Sequence, residues 1–283
     1  MTDQATAVVE STAVLDDAGL RQALTVRQRP PRPSAVSASL TFGWRALMKI
    51  KHVPEQLFDV TAFPVMMTLI FTYLLGGALA GSPTEYLTFV LPGILVQSVV
   101  MITMYTGMNL KTDIDKGIFD RIRTLPIWRP AALVGGLLAD GVRYTLASVV
   151  TITLGVILGF RPGGGMGGIV AGVALLLVFA FALSWVWTLI ALVVRSQQSV
   201  MAVSMAILFP LTFVSNIFVN PATMPGWLQA IVEVNPITLL VTGVRGLMHG
   251  DVTAAQLGWV LLSCVLLIGV FGPLTMRRYR VKN

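Results

Sequence analysis

Few titratable side chains fall inside the apolar runs of this sequence, and two of them, Asp140 and Arg143, are spaced for a task. Three residues apart, they share one face of a helix and can pair. Ionisable groups within such runs mark functional sites by default. Two readings stand: a structural ion pair, or a proton relay with Asp140 as the carrier. The ion pair is the stronger, because an adjacent cation favours the ionised carboxylate and opposes its protonation near neutral pH. His52 and His249 are isolated and Cys264 is the single cysteine, so neither a metal site nor an intramolecular disulfide is expected. No phosphate-cradling G-x-x-x-x-G-K-[ST] occurs, and no nucleophile elbow, H-E-x-x-H or Rossmann fingerprint. Catalysis by this polypeptide is therefore not expected. A pore, a carrier or the membrane half of a powered transporter remains.

The second candidate is the stretch KGIFDRIRTLPIWRP, residues 116–130. As a helix it places Ile118, Phe119, Ile122 and Leu125 on one face. Lys116, Asp120, Arg121, Arg123 and Arg129 surround that stripe. Asp113 or Asp115 is placed to cap its start, and Pro126 to end it. A segment over 113–126, held between two spans, fits either a groove on a cytosolic partner or the lipid interface. A third unusual stretch, 220–250, is cut by Met224-Pro225-Gly226 and Asn235-Pro236 into apolar helices too short to span. Trp227, Leu228, Ile231 and Val234 share one face of the first. Two readings are equally open here, an interfacial loop and an external gate capping the bundle.

The elements that must position these residues follow from composition. The chain has 283 residues, 55% hydrophobic and only 12% charged. That is an all-α polytopic membrane protein, since a hydrocarbon core ~30 Å thick takes about 20 apolar residues per helix. Spans are expected near 58–80, 87–110, 131–159, 168–194, 198–219 and 256–275. Six transmembrane helices are thus preceded by an interfacial amphipathic helix over 36–57, where Leu40, Trp44, Leu47 and Met48 mix with Arg45, Lys49 and Lys51. The third span is long enough for its first turns to project into the interface, which leaves Asp140 and Arg143 shallow. The glycines of 163–168 read as a flexible connector, and Gly168 with Gly172 as a weak small-xxx-small pair. Residues 1–35 are polar and read as a disordered cytosolic tail, with no cleaved signal in 1–40. Basic residues gather on one side at 45–51, 111–129, 195 and 277–282, against Arg161 and Arg245 on the other. The positive-inside rule then puts both termini in the cytoplasm of a cell-membrane protein. The same clustering explains the net charge of +7 without nucleic acid.

KGIFDRIRTLPIWRP resembles the first cytosolic loop of ABC-2 type permeases. FVSNIFVNPATMPGWLQAIVEVNPIT (213–238) is similar to that family's second hallmark, and NPITLL to its Asn-Pro turn. PEQLFDVTAFPVM (54–66) and LPGILVQSV (91–99) resemble the daunorubicin-resistance branch, and the likeness runs over about residues 40–283. The resemblance implies a permease subunit of an ATP-driven exporter, built from two copies or two related chains. It implies two copies of a cytosolic ATPase that carries the ATP and Mg, leaving no cofactor on this chain. It makes the 113–126 segment the coupling helix, with Phe119, Asp120, Arg121 and Leu125 in or beside the docking surface. Membrane lipids and a hydrophobic small molecule, an antibiotic or other amphiphile, are the further partners. Lipid or glycan export by the same fold, a proton-coupled antiporter and a non-transporting anchor are the alternatives.

Overall fold

The computed structural model describes residues 34–51, 54–77, 81–118 and 131–281. Nine α-helices account for most of them: α1 Ala35–Lys51, α2 Pro54–Ile70, α3 Pro83–Asp115, α4 Ala131–Ile157, α5 Gly165–Val193, α6 Gln197–Phe213, α7 Gly226–Val234, α8 Pro236–His249 and α9 Ala254–Val281. A π-helical turn, Phe71–Leu75, extends α2, and a 3-10 turn, Pro221–Thr223, precedes α7. No strand occurs among the described residues. Helices satisfy their own backbone groups, which hydrocarbon will not do for them.

Among the described residues, four helical stretches are long and apolar enough to cross a membrane: Pro83–Asp115, Val134–Ile157, Gly165–Val193 and Ala254–Arg278. A fifth arises if α7 and α8, bent by 76° at Asn235, count as one broken span. The first and fifth expected spans also fall on apolar helices, but shorter ones, Val60–Leu74 and Gln197–Phe213. Both carry an internal proline, Pro64 and Pro210. The proline carbonyls themselves accept from the following turn: Thr68 Oγ1 donates to Pro64 O at 2.8 Å, and the Val214 amide donates to Pro210 O at 2.8 Å. Hydroxyls elsewhere return to the preceding turn in the same way, as Ser148 does to Tyr144 O and Thr151 to Ala147 O, both at 2.8 Å.

The central element is α3. Ser82 caps it by accepting from the Glu85 amide, and Pro83 opens it. From Val90 to Val100 every residue is buried, so the helix is apolar all round and touches α2, α4, α5, α6 and α8. Apolar burial does not drive helix association where lipid is equally apolar, so close packing must do so. Two glycines supply it. A Cβ at Gly93 would stand 2.7 Å from Ile217 O, and one at Gly107 2.7 Å from Trp187 O. By contrast α9 turns Trp259, Val265, Leu266 and Val270 outward, as a lipid-facing helix does.

The 163–168 connector is a correction to the sequence reading. It is packed against the end of α8: the Gly164 amide donates to Met248 O at 2.9 Å. Cβ atoms at Gly163, Gly164 and Gly168 would meet the carbonyls of His249 or Leu247 within 2.4 Å. These glycines thus serve close approach. Gly172 continues the contact against Val244 and Met248.

Gly168→Val is expected to lower the melting temperature of the detergent-purified protein, at a cost of about 1–3 kcal/mol. Gly167→Ala meets open space and is expected to stay within about 0.5 kcal/mol of the parent. Matching melting curves for the two variants would contradict the packing.

Candidate functional site: a buried polar network and two flanking segments

Asp140 and Arg143 lie one turn apart on α4, and they are only 3% and 4% exposed. Both side chains are enclosed by the bundle. Arg143 Nη2 pairs with Asp140 Oδ1. Thr106 of α3 donates its hydroxyl to Asp140 Oδ2, so both carboxylate oxygens are engaged. Thr106 has one hydrogen, and that commitment makes the Tyr144 hydroxyl, 3.1 Å away, the donor to Thr106 Oγ1. With that hydrogen committed, Ser184 Oγ on α5, 3.1 Å away, is the donor to the Tyr144 hydroxyl in this chain of contacts, its alternative acceptor being Ala180 O at 2.7 Å. One turn from Ser184, the Trp187 indole donates to Thr103 Oγ1 at 2.7 Å. Polar contacts therefore tie α3, α4 and α5 together inside an apolar core.

Beside this network a groove of about 600 Å³ opens between α4 and α5. Leu138, Val142, Val149, Leu177 and Phe181 form its walls, with Tyr144 and Ser184 at its inner edge. Chemically it suits an apolar body and offers hydroxyls as its polar groups.

The 116–130 segment is described only at its start. Helix α3 runs on through Asp113 to Asp115, so these residues close the span helix instead of opening a new one. Asp115 pairs with the buried Lys111 at 2.9 Å. Lys116 is exposed in the turn that follows, its amide bonded to Thr112 O at 3.0 Å, and Gly117 has φ +64°. Phe119, Asp120, Arg121, Arg123, Leu125 and Pro126 lie outside the described residues.

The 220–250 stretch is described in full. Asn220 and Pro221 start the 3-10 turn, Met224 closes it, and Pro225 precedes α7. On α7 the exposed face carries Trp227, Ile231 and Val234, while Val232 is its buried residue. Leu228 is half-buried. Asn235 does three things at once. Its Oδ1 accepts from the Ile237 amide at 2.8 Å and so caps α8, with Pro236 as the first helical residue. Its Nδ2 donates to the carbonyls of Leu211 and Val214 at the end of α6. The Asn-Pro pair therefore turns the chain by 76° and fastens the bend to α6.

Sequence reasoning missed Thr106, Tyr144, Ser184 and the role of Arg245. The first three are hydroxyls on apolar helices, a pattern that a helix tolerates without any partner. Arg245, an isolated cation within 220–250, was a signal in itself.

Asp140→Ala leaves Arg143 buried without its carboxylate, which is expected to cost about 3–5 kcal/mol in thermal unfolding. The double change Asp140→Leu with Arg143→Met is expected to recover most of that stability. An Asp140→Ala protein as stable as the parent would refute the ion pair's structural importance.

A family model described as ABC-2 type transporter matches residues 38–249. The daunorubicin resistance ABC transporter permease protein DrrB1 of Streptomyces coeruleorubidus is 51% identical over 275 residues, covering 97% of each chain. A probable doxorubicin resistance ABC transporter permease protein, DrrC of Mycobacterium tuberculosis, is 24% identical over 72% of this chain and 75% of its own. A putative transport permease, ycf38 of Pyropia yezoensis, is 22% identical over 72% of this chain and 70% of its own. With its helical, apolar architecture and its Asn-Pro bend, the chain belongs to the ABC-2 type transporter family.

Proposed function

We propose that this chain is the membrane permease subunit of an ATP-driven exporter that moves hydrophobic drugs, antibiotics or similar amphiphiles out of the cell. The observation that carries the reading is the 51% identity, over 97% of both chains, to a protein named a daunorubicin resistance permease. The lipid-accessible groove between α4 and α5 supports it, because its volume suits a drug-sized amphiphile. Six spans complete the proposal, with α2 and α6 as shorter, proline-bent members. Helix α1 lies at the cytosolic interface, showing Val36, Leu40, Trp44 and Met48 to lipid at four-residue steps. Its opposite side meets α4, where a Cβ at Gly135 would stand 2.7 Å from the Gly43 amide nitrogen. Both termini are cytoplasmic.

The sequence holds no phosphate-binding loop. ATP and Mg therefore belong to a partner ATPase, two copies of which serve a pair of permeases, either identical or related. The ATPase docks on 116–126, with Phe119 and Leu125 in its groove and Asp120, Arg121 and Arg123 at the rim. Closure of the ATPase pair biases the permeases toward an outward-open state, since ATP favours the closed pair. The α7–α8 cap, held by Asn235 and Pro236, gates the exit. Asp140 and Arg143 hold the bundle together.

The test is reconstitution of the permease with its ATPase in vesicles and measurement of ATP-driven daunorubicin movement. Phe119→Ala with Asp120→Ala is expected to lower transport by about tenfold or more while membrane insertion is kept. Normal transport by the double variant overturns the docking assignment. Transport driven by a proton gradient in the absence of the ATPase overturns the ATP-driven reading in favour of Asp140 as a proton carrier.

A further inference from the structure

Arg245 carries a charge that no carboxylate within ion-pair distance neutralises among the described residues. Its Nε donates to Phe89 O and its Nη2 to Asn216 O, each at 3.1 Å. The guanidinium carbon stands 4.1 Å from the centre of the Phe89 ring. These partners are carbonyl dipoles and a ring face, so they orient the group and leave its unit charge uncompensated. The remaining nitrogen, Nη1, makes no hydrogen bond among the described residues and is not one of the fully enclosed unpaired atoms. The side chain as a whole is half-buried. One edge of the fork is thus held open for an acceptor.

Its depth narrows what that acceptor is. Arg245 precedes the end of α8 at His249 by about 6 Å of helix rise. Phe89 follows the start of α3 at Pro83 by about 9 Å. Both lie near the helix ends on the side of the α4–α5 and α8–α9 connections, the level at which arginine reaches the headgroups of a leaflet. The corner therefore lacks an anionic acceptor for Arg245, and a headgroup that carries a phosphate supplies one. Asn216, whose carbonyl holds Arg245, is itself enclosed: its Nδ2 donates to Thr242 Oγ1 at 2.9 Å and its Oδ1 lies out of a headgroup's reach.

We propose that Arg245 binds the phosphate of an anionic phospholipid headgroup, such as that of phosphatidylglycerol, at the corner between α3 and α8. The phosphate accepts from Arg245 Nη1. The lipid then helps to hold the α7–α8 cap against α3. This site is separate from the α4–α5 groove and does not depend on what the permease transports.

Arg245 also ties three segments together, so the decisive arms use the unaltered protein. Native mass spectrometry of the detergent-purified chain would be titrated with phosphatidylglycerol, with diacylglycerol of the same acyl chains, and with inorganic phosphate. Phosphatidylglycerol is expected to bind about tenfold or more tightly than diacylglycerol, the gain of a charge-assisted hydrogen bond. Arg245→Gln, shown to be folded by its melting curve, is expected to lose that preference. Equal binding of diacylglycerol, or a folded Arg245→Gln protein that keeps the preference, overturns the site. Protection from unfolding by inorganic phosphate as large as that by phosphatidylglycerol overturns the lipid assignment and leaves a free-anion site.

Discussion

In a hydrocarbon surrounding, a polar group must find its partner inside the chain, and Asp140 is the strictest instance of that constraint here. Its two oxygens are taken by Arg143 and by the Thr106 hydroxyl. Through Tyr144 the same contacts reach Ser184, so one buried charge fixes the mutual register of α3, α4 and α5. Helix association in lipid has no large hydrophobic term to draw on. Register therefore rests on such polar links and on the close backbone approaches at Gly93 and Gly107.

The same constraint shapes the cap. A chain that breaks its helix within the membrane region exposes carbonyls, and the break between α6 and α8 is covered from several directions. Asn235 takes the carbonyls of Leu211 and Val214, and Arg245 takes those of Phe89 and Asn216. Tyr86 donates to Phe218 O at 2.9 Å. Phe71, in the π-helical turn after α2, stacks on Phe218 at 4.2 Å. The irregular backbone is thus enclosed by protein on its inner side, which is what allows it at that depth.

Much of this was legible in the residues. Long apolar runs announce helices because nothing else satisfies their backbone in lipid, and i, i+3 spacing put Asp140 beside Arg143. The Asn-Pro dipeptide announced a break because asparagine caps and proline cannot continue a helix backwards. The glycine run at 163–168 misled. Conformational freedom and close approach call for the same residue, and only the position of the Leu247, Met248 and His249 carbonyls separates them. The end of α3 misled for a similar reason, since Asp113 and Asp115 suit a helix start in isolation, yet Asp115 pairs backwards with Lys111. The Thr106–Tyr144–Ser184 links were illegible because a hydroxyl on an apolar helix is equally content with the carbonyl one turn behind it.

The central claim is that this permease works with a separate ATPase, and affinity purification from the native membrane in mild detergent tests it most directly. The account predicts that a soluble protein with a phosphate-binding loop co-purifies in stoichiometric amount. A clean permease without any ATPase, repeated after crosslinking, would contradict it.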